Sequence, residues 1–136
     1  MFTSIGIALY NIINWLVAWT TLNIVYNYDI KTADTFPYAT ISVMDWEEIY
    51  LDNLVNLTNL KYIIRVYDQN KSVALMEARM RLLIDNIMIE LRKKGNCTLW
   101  DIAESMTFNL NWWWQDMEQP VRVCEITCNI QMVNNI

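Results

Sequence analysis

The last third of the chain alternates, and that alternation constrains the fold more than any other feature. Met106, Phe108, Leu110, Trp112 and Trp114 are interleaved with Thr107, Asn109, Asn111 and Trp113. Gln115 to Gln119 reads as a turn. Pro120 then opens a second run, in which Cys124, Ile126, Cys128, Ile130 and Met132 oppose Glu125, Thr127, Asn129 and Gln131. A sustained period of two places one face of each strand on a core and leaves the other wet or partnered. Two such runs in succession favour an antiparallel hairpin over a βαβ unit.

The rest of the chain supplies the partners for that hairpin. Ser72 to Lys94 keeps helical period through Val73, Met76, Met80, Leu83, Ile87 and Leu91. Asn70 or Ser72 is the N-cap candidate, Arg92, Lys93 and Lys94 suit the negative end of the helix dipole, and Gly95 suits a C′ position. Glu77 with Arg81, and Glu90 with Lys94, are i,i+4 ion pairs. A second helix is expected over about residues 3–20. It sets Phe2, Ile5, Leu9, Ile12, Ile13 and Leu16 opposite a stripe of Ser4, Asn11, Asn14 and Thr21. Between the helices lie three strand-like runs. Leu22 to Tyr28 alternates Leu22, Ile24, Tyr26 and Tyr28 with Asn23, Val25 and Asn27, and Lys31 to Thr35 follows as a polar turn. The second run opens at Phe36-Pro37 and turns Ala39, Ile41 and Val43 away from Thr40 and Ser42. The third is Leu60 to Asp68, with Tyr62, Ile64 and Val66 facing the core. Residues 45–58 read as a long hairpin or loop extension. The order helix, strand, strand, strand, helix, strand, strand gives a single α+β domain over residues 1–136. Its core is a mostly antiparallel sheet with two helices packed on one face.

Residues 1 to 28 carry no charged side chain, which raises the question of a membrane segment. The polar stripe, the lack of Lys or Arg at either end and the absence of a basic n-region argue for a packed amphipathic helix and no membrane contact. The chain of 136 residues is 54% apolar. A chain of this size buries roughly two thirds of its unfolded surface, which excludes intrinsic disorder. Ten basic and 15 acidic residues give a net charge of −5, the opposite of the basic footprint of a dedicated nucleic-acid binder.

There is no His, so Ser-His-Asp triads, Cys-His dyads and His-ligated zinc are excluded. Two glycines cannot build a phosphate-cradling loop or a nucleophile elbow. No catalytic residue, cofactor or metal site is expected. Cys124 and Cys128 fall on the buried face of one strand and lack further zinc ligands, and three cysteines fit a reducing compartment. Asp45, Glu47, Glu48 and Asp52 form the densest acidic cluster, without the central Gly of a calcium loop. They read as a solvated acidic loop, or as a surface facing a partner or passing DNA. Trp113 should point to the polar face of its strand, beside Asp116 and Glu118. An exposed Trp there fits an interface anchor, with core filling as the alternative. Trp15 and Trp19 are core or subunit-contact candidates.

Several stretches together resemble the tail terminator (tail completion) proteins of long-tailed bacteriophages. They are the short strand Phe36-Pro37-Tyr38-Ala39-Thr40-Ile41, the strand Tyr62-Ile63-Ile64-Arg65-Val66-Tyr67 and the helix Ala74-Leu75-Met76-Glu77-Ala78-Arg79 running on to Leu82-Leu83-Ile84-Asp85. The fourth is the Trp-bearing strand followed by Pro120-Val121-Arg122-Val123-Cys124-Glu125-Ile126. The resemblance is one of element order and residue flavour over most of the chain. It implies a homo-hexameric ring on the head-proximal end of the tail tube. That ring stops tube growth and offers a docking surface to the head connector or stopper, while DNA passes through the lumen unread. It implies a virion location in the tail or neck, with assembly in the host cytoplasm. A related neck or tail tube subunit, or a small membrane-anchored protein, are the alternatives. Within the ring reading, Asp45, Trp46, Glu47, Glu48 and Tyr50 are expected toward the tube or lumen. Trp113, Asp116, Trp15 and Trp19 are expected in lateral or axial contacts.

Overall fold

The computed structural model describes residues 2–28, 30, 35–50, 55–93, 95–99, 103–115 and 119–135; the side chains of Phe2, Ile49, Tyr50, Val55, Asn134 and Asn135 are not described. The elements follow the order α1 (Phe2–Trp15), β1 (Ile24–Tyr26), β2 (Tyr38–Tyr50), β3 (Val55–Asp68), α2 (Val73–Arg92), β4 (Ser105–Gln115) and β5 (Val121–Asn135), with short 3-10 turns at Leu16–Ala18 and Asn96–Thr98. The strands form one five-stranded sheet in the order β1-β2-β3-β5-β4. Every pairing is antiparallel except β1 with β2. This is a single α+β domain with both helices on one face.

That face holds the main core. The stripe Ile5, Leu9, Ile12, Ile13 and Leu16 of α1 and the stripe Met76, Met80, Leu83, Ile87 and Leu91 of α2 are buried. All but Met76 pack on Ala39 and Ile41 of β2, on Leu60, Tyr62, Ile64 and Val66 of β3, and on Cys124, Ile126, Cys128 and Ile130 of β5. Ser4, Asn11, Asn14 and Thr21 all lie at the surface, so the apolar start of the chain is accounted for by packing on its own sheet. Val73, at the outer end of the α2 stripe, stays 58% exposed.

Local chemistry sets the ends of α2. Ser72 is the N-cap, its hydroxyl accepting from the Leu75 amide at 3.3 Å, and Asn70 supports it by accepting from the Ser72 amide at 2.9 Å. The helix stops at Lys93, and Gly95 follows with φ +92°. The left-handed residue is thus a glycine, as expected, but one place later than C′. The Glu77–Arg81 pair forms at 3.7 Å. Lys94 lies outside the described residues, and Glu90 instead pairs with Lys93 at 2.8 Å.

Three expectations change. The first strand is only three residues long and parallel to β2. Its helix-facing residue is Val25, 5% exposed, while Ile24 and Tyr28 are largely exposed. Tyr26 turns to the opposite side of the sheet, where it joins a second cluster. The described residues of 45–58 form no loop: β2 and β3 stay paired out to Tyr50↔Asn56, with one register shift between Val43 and Asp45. Only the hairpin alternative fits, and its tip, residues 51–54, lies outside the described residues. The helix-free face is not uniformly polar. At one end Tyr38, Tyr67, Val121 and Val123 are buried under Tyr26, Ile30, Phe36 and Trp113. Tyr38 and Tyr67 stack with centroids 4.7 Å apart, and Tyr26 and Phe36 pack at an angle to Tyr38. The Phe36-Pro37 peptide that leads into this cluster is cis. Of the polar turn at Lys31 to Thr35, only Thr35 is described.

Candidate interface surfaces

The β2–β3 hairpin carries the acidic cluster. Asp45, Trp46, Glu47 and Glu48 are all exposed along its outer strand. The pleat splits them: Trp46 and Glu48 take the helix-bearing side, opposite Leu60 and Thr58, and Asp45 and Glu47 take the other. The Asp45 carboxylate accepts from the Trp46 amide at 2.7 Å, and Glu48 accepts from the side-chain amide of buried Asn56. Tyr50 ends β2, and its side chain lies outside the described ones. Three carboxylates and a half-exposed indole thus stand on a strand of the sheet, paired to β3, which β5 backs in turn.

The tryptophans separate by strand parity. Trp113 is half-buried against the aromatic cluster, beside Val123 of β5. The expectation of an exposed Trp on a polar face is therefore corrected. The cause is that β5 brings Val121 and Val123, and β3 brings Tyr67, to the same face. Trp112 and Trp114 face the helix side, and Arg122 lies between them, 5.2 and 5.0 Å from the two rings. Arg122 also meets Glu77 of α2 at 2.7 Å, a carboxylate it shares with Arg81. Trp114 is 41% exposed and walls a cleft of about 710 Å³ with Asn70, Val73, Met76 and Pro120. Trp15 and Trp19 are exposed, 60% and 49%. That removes the core alternative for both. Trp15 borders a groove of about 520 Å³ between α1 and the end of α2, with Ile7, Glu90 and Asn96. Asp116 lies outside the described residues. The structure therefore brings Asp45, Trp46, Glu47 and Glu48 together on one arm, places Trp15 at the end of α1 and Trp19 just past the 3-10 turn that follows it, and sets Trp113 apart in a packed cluster.

The sequence reading did not single out Val43, Met44, Leu110 or Trp114 as surface residues, yet all are more than 40% exposed. Val43, Leu110 and Trp114 each fall on the apolar side of a period-two run, as buried strand residues do, and Met44 sits at the register shift. Only the strand order, which puts β4 at an edge and the outer part of β2 beyond β1, uncovers them.

Two ion pairs tie helix to sheet and strand to strand. Asp68, fully buried at the end of β3, is held by the Arg79 guanidinium, whose Nε donates at 2.8 Å. Arg65 meets Glu125 at 3.0 Å on the helix-free face. Burial pushes the Cys124 and Cys128 thiols up to about 12, and burial raises the Tyr62 phenol as well. Buried protonated thiols are poor nucleophiles and poor metal ligands. Among the described residues no group of three or more His, Cys, Asp or Glu could hold a metal ion. No helix among them is long and apolar enough to cross a membrane. No protein-family model matches the chain, and no curated protein matches it.

Proposed function

We propose that this protein is a structural virion component of a tailed bacteriophage. It is a tail terminator whose hexameric ring caps the tail tube, ends tube growth and gives the head connector or stopper its docking surface. It assembles in the host cytoplasm and ends in the tail or neck of the virion, with DNA passing through its lumen. The observation that carries this reading is the scatter of exposed large apolar side chains over separate sides of a small domain. Ile7 and Trp15 lie on α1 and Trp19 just past the 3-10 turn that follows it, Met44 and Trp46 on the hairpin arm, Leu82 and Ile89 on α2, and Leu110 and Trp114 on β4. Four of them are tryptophans, a residue type enriched at interface hot spots. A ring subunit has to cover two lateral surfaces and two axial ones. The acidic arm fits a conduit, because carboxylates do not grip phosphate.

The test is reconstitution on tail tubes of the same phage. Added protein should decorate one end of each tube as a single ring and block further addition of tube subunits. Tubes that keep growing, or protein that coats their length, would contradict a terminator. Coating or self-extension into tubes would point to a tube subunit instead.

A further inference from the structure

We infer that the outer face of α2 is a pairing surface for a second copy of this chain. The two α2 helices lie antiparallel across a twofold axis at Leu82. The inference goes beyond the ring reading and does not need it: a ring grows through heterologous contacts, whereas this contact is isologous and closes at two.

α2 is apolar on two sides. Its inner stripe, Met76, Met80, Leu83, Ile87 and Leu91, is buried. Its outer side carries Leu75, Leu82 and Ile89, which are 55%, 61% and 60% exposed, with exposed Ala78 between the first two. A helix that serves a single core keeps its solvent side polar. The three outer residues are seven apart. At 3.6 residues per turn they stay within about 20° of one line along the helix. A line of aliphatic side chains every seven residues is the seam along which one helix packs on another. The small Ala78 lets the two axes approach.

Charge selects the partner and its direction. Arg81 and Asp85 flank the line on the same side, and both are exposed. The contact of Arg81 with Glu77 is long, 3.7 Å, and the Arg81 side chain is 75% exposed. In an antiparallel pair each flank faces the same flank of the other helix. With Leu82 against Leu82, Leu75 meets the partner's Ile89 at both ends. A rise of 1.5 Å per residue then sets Asp85 only about 3 Å along the axis from the partner's Arg81. The twofold axis makes that ion pair twice, so the seam is complementary to itself. A parallel pair would bring Arg81 to the flank that holds Arg79, a like charge. At the ends Lys71 comes level with the partner's Lys93, whose charge is shared with Glu90. The seam spans about 21 Å, a contact at the low end of interface sizes. The pair therefore forms as concentration rises, and the dilute chain stays single.

Disulfide cross-linking and native mass over a concentration series test this. Cross-linking uses the full chain with Cys97→Ser, because Cys97 is half-buried while Cys124 and Cys128 are buried. Leu82→Cys should join two chains under oxidation by diamide. Val73→Cys, at an exposed position on the opposite side of α2, should not. The mass of the unsubstituted chain should climb from one subunit toward two, or from one ring toward two, and Leu82→Lys should remove the climb. Arg81→Asp and Asp85→Arg should each weaken pairing at least about fivefold, as expected for two exposed ion pairs turned into repulsions; together they should restore it. A mass that never climbs overturns the pairing. Equal cross-linking at both positions overturns the face. A double reversal that stays weak overturns the antiparallel order. Leu82→Lys that leaves the mass series unchanged but abolishes capping of tail tubes gives the seam to a different protein and overturns the second copy. The ring reading is decided separately, on tail tubes.

Discussion

Cys124 and Cys128 show how burial fixes a residue's chemistry. Both are fully buried among Ile126 and Ile130, and their thiols ionise only near pH 12 against an ordinary 9.0. The unfolded chain releases those protons first, so the stability they contribute is complete below pH 9 and is lost as pH climbs toward 12. Denaturant unfolding from pH 8 to 11 should show stability falling, and Cys124→Ala with Cys128→Ala should flatten that fall. A thiol reagent at pH 8 should spare both in the folded protein and label them in denaturant. The period-two pattern placed these cysteines on a buried face. It did not reveal the burial of Asp68, because its partner Arg79 comes from the next helix. Nor did it reveal Arg122 between two tryptophans, which depends on β4 and β5 being neighbours.

At the scale of elements, α2 and the β4–β5 hairpin were the most legible, since each has a long run of one period and its own end signals. Ser72→Ala removes the hydroxyl that accepts from the Leu75 amide and should cost about 0.5–2 kcal/mol in thermal or denaturant unfolding. The first strand was legible as extended but not in its length or inward face. An edge strand of three residues has too few neighbours to impose alternation. Residues 45–58 were ambiguous because Leu and Asn alternate there with buried polar positions, Asn56 and Thr58; pairing across the hairpin, not burial, makes them strands. Trp113, read as an interface anchor with core filling as the alternative, is half-buried for a related reason. Its own strand reads as polar on that face, and the aromatic cluster is assembled from β2, β3 and β5. Trp113→Ala should therefore act mainly on stability, lowering it by about 1–3 kcal/mol, less than the full cost of a buried aromatic. If stability is unchanged while assembly is lost, Trp113 is an interface anchor after all.

At the scale of the whole molecule, two helices close one face of the sheet, an aromatic cluster closes one end of the other, and an acidic arm extends beyond β1. Exposed apolar side chains remain on both helices and at both edges of the sheet, a distribution that calls for neighbours on more than one side. A subunit built this way should not be content alone, and that is where the proposed ring is most exposed to test. The first measurement is the native mass of the purified chain without detergent, with negative-stain images of the same sample. A closed ring of about six subunits is expected, or single subunits that close into one ring on tail tubes. Long tubes of this protein alone, or a species that needs detergent and partitions into membranes, would contradict it.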